Sequence, residues 1–484
     1  MRIPAQIALV TTLLLSTALA SCGDSGTKGE EDTLTVLEDG AVVDDTGDIV
    51  QPENPWAAPA ETGGFEVLFD YRPRIATTPP TANDLWMMDA DGKNQVALTE
   101  FSGLKDLDPP LSCDLGCFVS PDLKWIAVAT GQSPDTGGFD LVLGKFNSEL
   151  QVAVFKGVTL SDVIDFKFAG DRMFYSTPKD CTGPSCIYQF QVVELGENVN
   201  VKTPFLEFPP ANVLADSTYK GHFKVSADGK NLVMLQTTIR SVAVYLWRDG
   251  TGLVQLDFIC KYGTQGDCTG TGSEYSDLDP VAISPDSRWI VFFTFSDRWQ
   301  RARVYDTQNP DSISLATFAS VPAGVYIEKA CDAGVLADWQ WQRVRANPTF
   351  TPDGKELLFL AENACPVDGQ QPEKPATNLL RVKFATLQSG KTLVESDVFN
   401  VTENPTGNVT ANKRVTAFDL SPDGATIIFT ATPTLTQGGA TIGDGDARQR
   451  NDREVYRVRL DGENLQQLTN NITALAESPQ IVVR

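Results

Sequence analysis

"NDLWMMDADGKNQVALT" occupies residues 83–99, and its reading decides the fold. Asp89 and Asp91 stand two apart in it, beside Gly92. Three readings compete: a metal site, an acid/base pair, or a turn. A second stretch separates them. "DREVYRVRLDGENLQQLT" (452–469) aligns with the first without a gap. Trp86 falls on Tyr456, Met88 on Val458, Asp91 on Asp461, Gly92 on Gly462 and Thr99 on Thr469. Asp89 falls on Arg459, so the acid pair is not repeated, whereas Asp-Gly is. Asp-Gly between two β-rich runs is a hairpin signal, because glycine accepts positive φ and aspartate bonds to its own turn. The stretch reads as strand, turn, strand.

Another unit recurs between these two. It appears as "FVSPDLKWIAVAT" (118–130), "KVSADGKNLVMLQT" (224–237), "AISPDSRWIVFFTF" (282–295), "TFTPDGKELLFLAE" (349–362) and "DLSPDGATIIFTAT" (419–432). "FKFAGDRMFYST" (166–177) is a worn copy. Each is a short strand, a Pro/Asp/Gly turn and an apolar strand. The turn aspartates are Asp122, Asp171, Asp228, Asp286, Asp353 and Asp423, spaced 49, 57, 58, 67 and 70 apart. All-β self-similarity at this period predicts a propeller of four-stranded antiparallel blades. The Ser-Pro-Asp-Gly turn, followed by a strand ending in Asp-Gly and Leu-Thr, resembles the repeats of TolB-like, or WD40-like, β-propellers. The resemblance covers about 63–484 and implies fold rather than function, since that family spans binding proteins, scaffolds and the propeller halves of peptidases.

Second strands are expected near Val67, Lys124, Arg172, Asn231, Trp289, Glu356 and Thr426. That makes seven blades, with six or eight as alternatives. The first, "FEVLFDY", lacks an inner strand before it. "ESPQIVVR" (477–484) supplies a strand without its turn, so the C-terminus is expected to complete blade one and close the ring.

Strands that alternate in direction sort the connections. The short Asp-Gly turns share one face. The links between second and third strands, and between blades, share the other. Nine cysteines occur. Apart from Cys22, all fall in links of the second kind. Sequence proximity in an exported chain suggests Cys113–Cys117, Cys181–Cys186, Cys260–Cys268 and Cys331–Cys365. The long insertions 131–138, 331–346 and 433–452 share that face, and shaped loops on a rigid scaffold are where binding concentrates.

The chain opens with Arg2 and an apolar run from Ile7 to Ala20, laid out as a signal peptide. It ends in Leu19-Ala20-Ser21-Cys22, which resembles a bacterial lipobox and implies lipidation of Cys22. Residues 1–22 are therefore read as signal, and a lipid-anchored place in the bacterial envelope, at the outer membrane, is expected. Whether the body faces periplasm or medium stays open. Residues 23–62 hold eleven acidic residues against one lysine. They read as a solvated, disordered tether. About 420 residues then remain for the propeller at 63–484. A formal net charge of −24 and the lack of a basic stripe argue against a nucleic-acid partner.

Catalytic signatures are absent from the reading. One histidine, His222, cannot supply both a triad and a metal site, and no G-x-S-x-G elbow occurs. Peptidases that resemble this propeller carry a separate hydrolase domain, and none is expected here, since the propeller reading takes up 63–484. "IGDGDARQRND" (442–452) places Asp444, Asp446 and Asp452 in one loop. It lacks the other ligands of a calcium loop and reads as a solvated acidic segment, so no cofactor is expected. More suggestive are "FSDRWQRAR" (295–303) and "DWQWQR" (338–343). Arg298, Trp299, Arg301, Trp339, Trp341 and Arg343 map to or beside the loop face, and tryptophan and arginine dominate interface hot spots. The leading expectation is a non-enzymatic binding or scaffold module for an envelope protein, peptide or glycan. The alternatives are a carboxylate-based hydrolase or lyase on saccharides in the central channel, and a structural lipoprotein without a specific ligand.

Overall fold

A computed structural model of the chain describes residues 35–36, 42–43, 49–50, 56–61, 64–73, 84–98, 117–122, 124–146, 152–182, 185–209, 221–237, 241–260, 281–296, 299–320, 342–363, 377–402, 415–431, 454–469 and 474–482. It divides into Met1–Pro55 and Trp56–Arg484. In the first unit Thr35–Val36, Val42–Val43 and Ile49–Val50 pair as a small antiparallel sheet.

The second unit is a ring of seven antiparallel blades. Blade one takes its first strand from the far end of the chain: Ala474–Val482 pairs with Glu66–Pro73, followed by Asp84–Asp89 and Val96–Ala97. Blade two is Cys117–Val119, Trp125–Gln132, Phe139–Phe146 and Val152–Val163. Blade three is Asp165–Ala169, Arg172–Thr182 and Ser185–Leu195, with Val199–Val201 and Leu206–Phe208 sharing the outer position. Blade four is Phe223–Val225, Asn231–Thr237, Ser241–Arg248 and Gly252–Cys260. Blade five is Val281–Ile283, Trp289–Ser296, Trp299–Asp306 and Asn309–Ser320. Blade six is Gln342–Phe350, Glu356–Asn363, Thr377–Lys383 and Val398–Asn400, with the short helix Phe384–Gln388 after its third strand. Blade seven is Val415–Leu420, Thr426–Ala431, Glu454–Arg459 and Gln466–Gln467. The expected second strands and the C-terminal closure are therefore present.

The apolar second strands follow from this packing. A blade in a ring is covered on both faces, so its strands need apolar residues at successive positions rather than alternate ones. In blade five Val291 and Phe293 pack towards blade six, against Leu357 and Phe359. Ile290 and Phe292 pack towards blade four, against Val233 and Val244.

The Ser-Pro-Asp-Gly turn is a hydrogen-bonded cap. Ser120 Oγ donates to Asp122 Oδ1 at 2.7 Å and accepts the Trp125 N–H at 2.9 Å, while Lys124 N–H donates to the same carboxylate at 3.2 Å. The same set forms around Ser226/Asp228, Ser284/Asp286, Thr351/Asp353 and Ser421/Asp423. These cap hydroxyls are buried, so each needs a donor and an acceptor, and the motif supplies both. Burial acts to raise Asp122, Asp228 and Asp353. The hydrogen bonds donated to them outweigh it and hold all three below the usual carboxylate range. In blade three Ala169 stands at the serine position, which removes the hydroxyl and explains the worn repeat.

The opening stretch is the turn between the third and fourth strands of blade one. Gly92 N–H donates to Asp89 O, and Asp89 N–H to Lys93 O, both at 2.9 Å. Gly92 has φ +81°, and a Cβ there would lie 2.8 Å from Leu468 O of blade seven. Asp91 accepts from both the main chain and Nζ of Lys93, and Asp89 accepts from Asn94 Nδ2. Both carboxylates are engaged within the turn.

Candidate functional site on the loop face

The two faces of the ring differ. One carries the uniform caps. The other carries whatever projects beyond the inner strands, and among the described residues blade three projects furthest. Its inner strand ends its pairing at Asp165↔Ser176. The second and third strands continue past that point to Cys181↔Cys186 as a two-stranded ribbon. Cys181 and Cys186 form a disulfide near the tip, with Cα atoms 4.1 Å apart. A bridge over so short a loop contributes only about 2 kcal/mol on the chain-entropy model, so it chiefly shapes the ribbon. Glu207 braces its flank, accepting from Lys179 Nζ at 2.6 Å and Gln189 Nε2 at 3.1 Å. The Lys179 bond in particular holds Glu207 below its usual range.

A polar shelf surrounds the root of the ribbon. Ser133–Gly138, the link between the second and third strands of blade two, folds on itself: Ser133 N–H bonds Gly138 O and Gly137 N–H bonds Ser133 O. Thr136 Oγ1 donates to Asp162, tying that link to the end of the blade's outer strand. Ser176 Oγ donates to Gly221 O at 2.7 Å. Gly221 has φ +80°, and a Cβ there would come within 2.9 Å of Ile164 and Tyr188, so glycine is needed for conformation and for space. Asp165 accepts from Phe166 N–H, Lys167 Nζ and Phe223 N–H. His222 Nδ1 lies 3.6 Å from the same carboxylate, with about half of the imidazole exposed. Burial acts to raise Asp165, but His222, Lys167 and Phe223 together hold it low. Asp165 is thus an anchored anion joining blades three and four. Its lone pairs are occupied, which suits positioning better than proton transfer.

Blade five adds a second projection. Its second and third strands continue from Phe293↔Ala302 to Ser296↔Trp299, beyond the last inner-strand pair at Val281↔Phe292. Trp299 and half-buried Arg301 lie on this hairpin. Arg343, on the inner strand of blade six, pairs in register with Glu362. The topology therefore brings Trp299, Arg301 and Arg343 to the loop ends of adjacent blades. Arg298, Trp339 and Trp341 lie outside the described residues, as do Asp444, Asp446 and Asp452. Cys113, Cys268, Cys331 and Cys365 lie outside them too. Cys117 begins the inner strand of blade two rather than preceding it, and Cys260 ends the outer strand of blade four. Among the described residues, no group of three His, Cys, Asp or Glu side chains is placed to hold a metal ion.

The cap face of blade three also holds a feature that sequence reasoning missed. An open depression of about 610 Å³ lies between the two turns of blade three, lined by Asp171, Arg172, Glu194, Glu197 and Asn198. Arg172 is committed to Asp228 O at 2.6 Å, and Glu194 to Lys202 at 2.7 Å. The only sequence signal was a run of acids flanking a turn, which also describes any solvated loop.

No family model matches the chain, and no curated protein matches it. Solved structures do. TolB from Acinetobacter baumannii is 14% identical with a TM-score of 0.37, covering 88% of this chain and 68% of its own. A protein from Lactobacillus plantarum is 12% identical with a TM-score of 0.42, covering 87% of this chain and all of its own. The acylaminoacyl peptidase of Pyrococcus horikoshii is 12% identical with a TM-score of 0.45. This chain spans about half of that peptidase's length. The architecture, a seven-bladed β-propeller, is established by the blades themselves.

Proposed function

We propose that this protein is a lipid-anchored envelope module that binds a protein, peptide or glycan through the loop face of its propeller, without catalysing a reaction. The observation that carries the reading is the asymmetry between the faces. The cap face repeats one hydrogen-bonded turn, whereas the loop face carries a disulfide-stapled ribbon and a second projecting hairpin. Rigid elements that hold variable projections fit recognition. The anchor is Cys22, and the acidic segment after it is the tether.

Two measurements test this. A Cys22→Ala variant should lose incorporated palmitate and move to the soluble fraction. If it stays lipidated and membrane-bound, the anchor assignment is wrong. For the face, wild type, a Trp299/Trp339/Trp341→Ala variant and a cap-face Lys93→Ala variant are used as bait on envelope extract. The reading expects partners that survive the cap-face change and are lost with the tryptophans. Partners retained by the tryptophan variant would sink the choice of face, and turnover on a polysaccharide panel would sink the non-enzymatic reading.

A further inference from the structure

The segment "WAAPAE" (56–61) closes an acidic stretch whose composition suits a solvated tether, yet it is docked on the propeller. Trp56 is 9% exposed. Its ring stacks on Phe399 of blade six, with centroids 5.6 Å apart and planes 24° from parallel. The Arg381 guanidinium carbon and Lys383 Nζ each lie 5.1 Å from its centroid. Arg381 Nη1 donates to Trp56 O at 2.9 Å and to Leu460 O at 2.8 Å. The other side of the same guanidinium is forked onto Glu356. Ala58 N–H donates to Asp461 Oδ2 at 3.3 Å in the Asp-Gly turn of blade seven. Glu61 accepts from Arg457 Nη2 at 2.7 Å and Thr426 Oγ1 at 2.8 Å, and the arginine holds it below the usual carboxylate range.

These contacts have the form of peptide recognition. A tryptophan enters an aromatic slot flanked by two cations, one main-chain carbonyl and one N–H are bonded, and a carboxylate five residues on meets an arginine and a hydroxyl. Every partner sits at the cap end of blades six and seven. Pro59 biases Ala58 towards extended backbone, so the segment loses less entropy on docking than a flexible one would. We propose that the cap-face groove of blades six and seven is a peptide-recognition site for a tryptophan-led, carboxylate-ended extended segment, and that the chain's own Trp56–Glu61 is its resident ligand. Only a few residues join Glu61 to the blade-one strand that begins at Glu66. That linkage presents the segment at an effective concentration on the order of millimolar, so a free peptide at micromolar concentration cannot displace it.

The test uses the full chain. A Trp56→Ala/Glu61→Ala variant, shown to be folded by circular dichroism, is titrated calorimetrically with the peptide NPWAAPAET, residues 54–62. The variant should bind it, wild type should not, and a peptide with alanine in place of tryptophan should bind about tenfold or more weakly. Equal responses of variant and wild type, including no response from either, would overturn the proposal. Should the variant not fold, hydrogen exchange on wild type decides. The Ala58 amide should exchange at least about tenfold more slowly than in the free peptide. Exchange at the free-peptide rate would mean the groove is not occupied, and the proposal would fail.

Discussion

Asp419 offers a sharp test of how the ring is closed. It lies on the inner strand of blade seven, and its Oδ2 accepts the N–H of Ile481 on the C-terminal strand at 2.7 Å, while Oδ1 accepts the Leu420 N–H. Burial pushes its carboxyl up to about 6, against the pull of those two N–H groups. Above pH 6 the folded protein holds a charged carboxylate that the unfolded chain would solvate better. Between pH 6 and about 4, the folded state binds a proton that the unfolded state does not, so stability rises as pH falls. Below that range both states are protonated and the difference is gone. Two pKa units correspond to about 3 kcal/mol, and because the residue keeps part of its surface in water we expect about 1–2 kcal/mol. Asp419→Asn removes the charge, and it also turns an amide NH2 towards one of the two N–H donors. That second effect costs about 1 kcal/mol and is independent of pH. The quantity to measure is therefore the difference in unfolding free energy between variant and wild type, from urea denaturation at pH 4 and pH 7.5. It should shift by about 1–2 kcal/mol in favour of the variant at the higher pH. Subtracting wild type cancels the opposite trend from depressed carboxylates such as Glu61, Asp122 and Asp461. A difference that does not change with pH would refute the reasoning.

Ile481→Ala removes a side chain that packs with Val67, Phe69, Ile428 and Val455 across the closure, and should cost about 2–4 kcal/mol by urea denaturation; a cost no larger than that of Val96→Ala, an exposed control, would contradict the packing. Ser226→Ala leaves the buried Asn231 N–H and the Asp228 carboxylate each short of a partner, and should lower stability by about 1–3 kcal/mol. Converting Cys181 and Cys186 to alanine should cost at most about 2 kcal/mol, and hydrogen exchange should quicken in the ribbon from Thr177 to Gln189 while blade five stays unchanged.

The elements that were legible in sequence share one property: their chemistry is local. A cap that needs Ser, Asp and a turn within five residues prints itself on the chain, and it can be counted even when blade three substitutes Ala169 for the serine. The Cys181–Cys186 pair was readable for the same reason. The second strands announced themselves because a blade buried on both faces forbids polar interruption. What escaped reading was decided at a distance. Arg381 donates to Trp56 from 325 positions away, and Glu61 meets Arg457 across 396. Nothing near Trp56 marks it as buried, because its neighbours are small, acidic or proline residues that suit a solvated tether equally well. Asp419 stands before a Ser-Pro-Asp-Gly turn, where an acid looks like one more polar residue at a strand end; only the return of Ile481 shows what it binds.

Two of the features that escaped notice, Asp419 and the Trp56–Glu61 segment, act at or beside the place where the ring joins its own ends. A linear chain that folds into a circle must bring together residues with no sequence relation, and the join is where the repeat is broken by design. Six blades can be built by repeating a cap and a strand. The boundary between blades seven and one cannot: there the chain uses Asp419 on Ile481 along the inner strands, and next to it the Trp56–Glu61 segment lies across blades six and seven on the cap face before the chain enters blade one. Both contacts rest on a carboxylate that accepts from partners in another part of the chain, and they load the two groups in opposite directions, with Asp419 raised by burial and Glu61 lowered by Arg457. Acid should therefore release the Trp56–Glu61 segment at its carboxylate end while relieving the inner-strand join. Because Glu61 and Asp461 are both held below the usual carboxylate range, hydrogen exchange at about pH 3 against pH 7.5 should show faster exchange around Ala58, with the Gln480–Ile481 amides no less protected once intrinsic rates are corrected. Loosening of both together would mean that the two contacts form one closure rather than two.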